Sequence, residues 1–201
     1  MFGPNRRLLF IVSLLLAIAA PFCAVPSGVA VKAAAPDGKS PKVEFSEEGK
    51  LKQPVGFRKW VYIGTPLTPN DLNNGEAAFP EFHSVYMDPD SFAVYEQTGI
   101  YPDGTVLVKE LIAVGDREAS SGKGYFMGDF TGLEVSIKDK QRFADEPGNW
   151  AYFSFGHKYP LKTEVAKNLT ASCNKCHQDN ANEFVFDKYY PVLRAATPKT
   201  K

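Results

Sequence analysis

Residues 105–114 read TVLVKELIAV, a run that fits a buried β-strand and carries one lysine where an apolar residue is expected. Strand alternation puts Thr105, Leu107, Lys109, Leu111 and Ala113 on one face, and Val106, Val108, Glu110 and Ile112 on the other. Both faces are mainly apolar. An ammonium group in that setting needs a partner, a route along its own stem to water, or a chemical state other than ammonium.

Further strand-like runs flank this segment: FRKWVYIG (57–64), FHSVYMD (82–88), GYFMGDF (124–130), LEVSIKD (133–139) and WAYFSFG (150–156). Turn residues such as Asp103-Gly104 and Ser121-Gly122 separate them. Most connections are too short for crossover helices, which predicts a largely antiparallel sheet. TPLTPNDLNNG (65–75) supplies turns around about one helical turn. Further helix is expected mainly near the ends, including NEFVFDKYY (182–190) before Pro191. The expected class is α+β, predominantly β, an antiparallel sheet with short helices.

The chain has 201 residues, and its first thirty have the pattern of a secretory signal. Arg6 and Arg7 precede the apolar run 8–20, and small residues follow at Ala24, Ala30 and 33–35. That run is short for a bilayer and no second one occurs, so no membrane span is expected. Cys23 leaves with the signal, because Phe22 directly before it opposes a lipid-attachment reading. Residues 31–42, VKAAAPDGKSPK, read as a flexible leader, and 43–201 as one domain. Discarding residues 1–30 leaves 21 basic against 23 acidic residues and no basic stripe, which excludes nucleic acid as an expected partner. The exported part keeps only Cys173 and Cys176, too few for a disulfide framework.

Those two cysteines lie in Cys173-Asn174-Lys175-Cys176-His177. C-x-x-C-H lets two thiols add to the vinyl groups of a haem while the next imidazole binds iron from one side. A thioredoxin-like pair needs no such histidine, and a zinc site would need a fourth ligand from His83 or His157. The motif therefore predicts one haem c in a C-terminal attachment segment, tethered by Cys173 and Cys176 with His177 as proximal ligand. A second axial ligand would make an electron carrier, whereas an open position allows small-molecule chemistry. Met87, Met127, His83 and His157 are the candidates for that ligand, each with an ordinary alternative as a core or surface residue.

Several long blocks then matter together: WVYIGTPLTPNDLN, FHSVYMDPDSF, TGIYPDGTVLVKEL, GYFMGDFTGLEVSIKDKQRFADEPGNWAYF and CNKCHQDNANEFVFDKYYPVLRAA. From about Trp60 to Ala196 the chain resembles cytochrome P-460 of ammonia and methane oxidisers. The resemblance implies a periplasmic, mostly β, homodimeric mono-haem protein that oxidises hydroxylamine to nitric or nitrous oxide and passes electrons to a soluble acceptor such as a small cytochrome c. It also implies that a lysine nitrogen is bonded to a meso carbon of the porphyrin, and the matching position is Lys109. A lysine so bonded is no longer a buried cation. Glu134 matches the glutamate over the open side of the haem that accepts substrate protons, although alternation with Leu133, Val135 and Ile137 alone reads as a solvated face. Asp139, Phe82, Phe126 and Phe130 are further candidates for the distal pocket. The competing expectation is a cytochrome c-prime-beta-like protein that binds nitric oxide, or an electron-transfer cytochrome, without catalysis.

Overall fold

The structure is a computed structural model that describes residues 42–196. The signal over 1–30 and the leader up to residue 41 lie outside the described residues. Lys42, the last leader residue, is held by an ion pair to Asp88 at 2.5 Å.

Among the described residues, nine strands and three α-helices follow in order: β1 (Leu51–Lys52), β2 (Val61–Gly64), β3 (Phe82–Met87), α1 (Pro89–Thr98), β4 (Val106–Val114), β5 (Glu118–Ala119), β6 (Gly122–Lys123), β7 (Met127–Lys138), β8 (Trp150–Gly156), β9 (Glu164–Val165), α2 (Lys175–Asn180) and α3 (Pro191–Ala196). The main sheet has the order β2-β3-β4-β7-β8 and every pairing in it is antiparallel. The α+β, predominantly β class and the short antiparallel connections are as the sequence predicts. TVLVKELIAV forms the central strand, which explains why both its faces are apolar.

Each face of the sheet carries its own core. Val106, Val108, Leu133, Val135, Ile137 and Phe153 pack on one side with Phe57 and Phe143. Val85, Met87, Leu107, Trp150 and Tyr152 pack on the other with Tyr95, Tyr101, Val185, Tyr190 and Leu193. The second layer therefore brings the chain's C-terminal part against the face that carries Lys109. Burial of each large apolar side chain contributes about 1.5–3 kcal/mol, so both layers are needed to cover a sheet that is greasy on both sides.

Three sequence expectations change. Of the runs 124–130 and 133–139, residues 127–138 form one strand, β7, which continues through Gly132, while 124–126 stay outside it. A Cβ on Gly132 would sit 2.6 Å from the Gly156 carbonyl oxygen, so glycine marks a close approach instead of a turn. The longest helix, α1, is in the middle of the chain and not near an end. Its start is nonetheless written locally: buried Asp88 accepts from the Ser91 amide at 2.9 Å, Pro89 takes the first turn, and Gly99 closes the helix at φ 71°. NEFVFDKYY yields only the 3-10 turn Asp187–Tyr189, with α3 beginning at Pro191. Glu183 and Phe184 adopt positive φ, which breaks a helix there.

Candidate functional site

The site begins on the sheet. Register pairs Val85 with Lys109 and Lys109 with Glu134, while Leu111 lies opposite His83. Cross-strand partners share a face. Lys109, Glu134 and His83 are thus brought to the face that the C-terminal segment covers. The Lys109 ammonium and one Glu134 oxygen form a close ion pair, and the other oxygen lies 3.2 Å from His157 Nε2. Side-chain exposure is 25% for Lys109, 19% for Glu134 and 45% for His157, so the row of groups runs from interior to solvent.

Phe79, on the loop before β3, leans over this row. Its ring centre is 4.9 Å from the Lys109 nitrogen, edge-on to His83 at 5.9 Å and stacked on His157 at 6.3 Å. His83 Nε2 is buried without a partner, and burial, helped by Lys109, lowers the imidazole pKa to about 4. Neutral His83 is the form compatible with a buried site beside an ammonium.

The C-x-x-C-H segment packs against the neighbouring part of the same face. A π-helical turn, Thr170–Asn174, leads into α2, and both thiols are free, Cys173 half-buried and Cys176 exposed. Asn174, between them, is buried and donates to the Trp150 carbonyl at 2.6 Å and to Glu146 at 3.3 Å. Glu146 also holds Lys167 and the Thr170 hydroxyl, chiefly the lysine keeping its carboxyl below the usual range. The attachment turn is thereby bolted to β8 through its non-cysteine residue.

His177 projects from this turn between Tyr152 and Phe186, ring centres 4.4 and 4.7 Å away. Its Nδ1–H donates to the Phe184 carbonyl at 2.8 Å, which fixes the ring and leaves Nε2 as the lone-pair nitrogen. Burial lowers the His177 pKa, opposed by the Phe184 carbonyl, and Lys109 and Glu134 both bear on it electrostatically. Phe184 can reach its place because Gly148 has no side chain: a Cβ there would lie 2.2 Å from the Phe184 ring.

These residues fit a haem. Two free thiols and an oriented imidazole lie on one turn, aromatic rings flank that imidazole, and an unpartnered buried His83 nitrogen and a lysine–glutamate pair share the sheet face opposite. Among the described residues, no group of three or more His, Cys, Asp or Glu side chains is arranged to hold a bare metal ion. No helix among them is long and apolar enough to cross a membrane.

Other sequence candidates fall elsewhere. Phe82 pairs with Ile112, and Ile112 with Phe130, so alternation turns both phenylalanines to the opposite face. There Phe130 stacks on Arg58 at 4.6 Å beside a cleft of about 670 Å³ that includes Glu110 and Tyr159. Asp139 is engaged by the turn after β7, accepting from the Gln141 and Arg142 amides at 3.0 and 2.8 Å. Phe126 lies outside the sheet, its backbone bonded to Gly115 and Asp116. Met87 is fully buried in the core, and Met127 is half-exposed at the start of β7. Sequence reasoning did not find Phe79, Tyr152, Asn174, Phe184 or Phe186, and weighed His157 as a metal ligand or an ordinary surface residue, not as a partner of Glu134. Asn174 had the one local signal, its place inside the motif.

None of the curated proteins matches the chain. The family model described as cytochrome P460 matches residues 54–187, from the loop before β2 to the 3-10 turn behind His177, and so includes Lys109, Glu134, His157 and the whole attachment turn. With two thirds of the sequence under that match and a haem-compatible face at its centre, the chain belongs to the cytochrome P460 family of c-type haem cytochromes.

Proposed function

We propose that this protein is a periplasmic hydroxylamine oxidoreductase whose single haem c is attached through Cys173, Cys176 and Lys109. The observation that carries the reading is the juxtaposition of Lys109 and Glu134 on the sheet face against which the C-x-x-C-H turn packs. Bound haem iron would supply the coordination site for substrate nitrogen and the outlet for its electrons. The chain's own residues do the rest. Cys173 and Cys176 tether, His177 Nε2 is the proximal ligand oriented by Phe184, and Lys109, once its nitrogen is bonded to the macrocycle, ceases to be a buried cation. Glu134 then has one oxygen freed from an ammonium and directed at the substrate side, where it accepts protons from hydroxylamine. Phe79 limits water access above it. The product is nitric oxide or nitrous oxide, the electrons pass to a soluble acceptor such as a small cytochrome c, and the working unit is a homodimer. Export rests on the N-terminal signal pattern.

Proteolysis and mass spectrometry of the purified haem protein test the attachment directly: haem is expected on the peptide with Cys173 and Cys176 and on the peptide with Lys109. K109L should restore the absorption spectrum of ordinary haem c and abolish turnover. An unchanged spectrum would refute the lysine bond. E134A should keep the haem and lower hydroxylamine turnover by about 10²-fold or more; full turnover removes Glu134 as the base.

A second reading has one observation in its favour. His83 is a neutral, half-buried imidazole with a buried, unpartnered Nε2 on the Lys109 face, the form that binds iron. A six-coordinate electron carrier would then result, with a low-spin spectrum that H83A converts to high spin. A high-spin wild-type spectrum excludes it.

A further inference from the structure

We propose that His157 relays protons between the Glu134 carboxylate and bulk water. The inference rests on the hydroxylamine reading above, because it concerns where that reaction's protons go. Oxidation of NH₂OH to NO releases three protons and three electrons. The electrons pass to the soluble one-electron acceptor, but a single carboxylate holds one proton at a time. Glu134 must therefore be emptied within each turnover, and its side chain is largely shielded from solvent.

His157 is the group built to empty it. Its Nε2 lies 3.2 Å from one Glu134 oxygen while nearly half of its side chain meets solvent. The position is set by the backbone. β8 ends at Gly156 with φ 118°, and His157 Cα then passes 3.1 Å from the place a Gly132 Cβ would occupy. Phe79 stacks on the imidazole at an interplanar angle of 29° and holds the ring over the carboxylate. An imidazole has two ring nitrogens and gains or loses a proton near neutral pH, so it can take a proton on one side and release one on the other.

The other titratable groups around the pair do not offer this route. Lys109, on β4, faces the second Glu134 oxygen, and with its nitrogen committed to the macrocycle it has no proton to exchange. His83, on β3, is half-buried with its Nε2 shut off from solvent, and burial lowers its pKa to about 4. Phe79 brings no charge, and Lys158 follows His157 in the chain at the surface. As a residue acting through Glu134, His157 is a positioning and relay group and does not itself contact substrate.

The test uses the purified haem-loaded protein and its H157Q variant, in which an amide can still donate to Glu134 but cannot titrate. The variant is expected to keep the wild-type absorption spectrum and to turn over about ten-fold more slowly at low buffer concentration. Raising the concentration of a bulky neutral buffer should recover that rate in H157Q and leave the wild type unaffected, a response that a packing role would not give. A readout independent of turnover is the proton NMR spectrum of His157 in the diamagnetic ferrous–CO form, where E134Q should move the imidazole resonances by replacing the carboxylate that touches Nε2. H157Q turnover equal to wild type and indifferent to buffer would overturn the relay, as would unmoved His157 imidazole resonances in E134Q. Wild-type protein that fails to oxidise hydroxylamine overturns the activity itself, a result separate from both.

Discussion

At the scale of single residues, Lys109 is ion-paired with Glu134 and has Phe79 against its nitrogen. His83 beside it has a consequence for pH. Its imidazole titrates at about 4 in the folded chain against 6.5 for the ordinary group, so between those values the unfolded chain binds more protons. Stability is complete above the unfolded value and falls as pH drops through the window, by at most about 3 kcal/mol from this residue. Burial shifts the His177 imidazole in the same direction. Urea unfolding of H83L should therefore show a shallower loss between pH 6.5 and 4 than the parent; an identical slope would assign the loss to other groups. Below that window, Glu146, whose pKa is lowered chiefly by Lys167, adds its own loss as its carboxyl is protonated.

At the scale of elements, the attachment turn is held by two devices remote from its cysteines. Asn174 ties it to β8, and N174A should cost about 1–3 kcal/mol because the Trp150 carbonyl and Glu146 lose a buried donor. Gly148, at φ 62°, leaves room for Phe184, whose carbonyl fixes His177. G148A strains the backbone and drives a methyl group into the Phe184 ring. Lower thermal stability together with a shifted iron–histidine stretch in the resonance Raman spectrum is the expected outcome; an unmoved stretch would mean that Phe184 does not set the ring. How much of this was legible follows from range. C-x-x-C-H, β3, β4 and β8 are written in adjacent residues, and the cap of α1 at Asp88-Pro89 was too, although its apolar pattern is weak. By contrast, Asn174, Gly148 and Phe184 owe their roles to contacts made across 20 to 40 residues of chain, and apart from Asn174's place inside the motif nothing in their local sequence marks them. Phe82 and Phe130 were misplaced for the same reason, since only the register across β3, β4 and β7 decides which face they share.

At the scale of the whole molecule, the central strand separates two chemically different compartments. Lys109 points to the haem-compatible side and meets Glu134. Its neighbour Glu110 points to the other side, is 1% exposed, and is held by Arg58, with Nε 3.2 Å from a carboxylate oxygen. Because the side-chain period of a strand is two, sliding β4 by one residue would exchange these two environments. Glu110 would then confront Glu134, and Lys109 would confront Arg58. The adjacent opposite charges therefore act as a polarity key: an apolar ribbon that could pair equally well in either phase is admitted in one only, before any cofactor arrives to reward the choice. Exchanging the two letters, K109E with E110K, should leave composition and net charge untouched and still prevent the chain from reaching its native sheet, as circular dichroism and size exclusion would report.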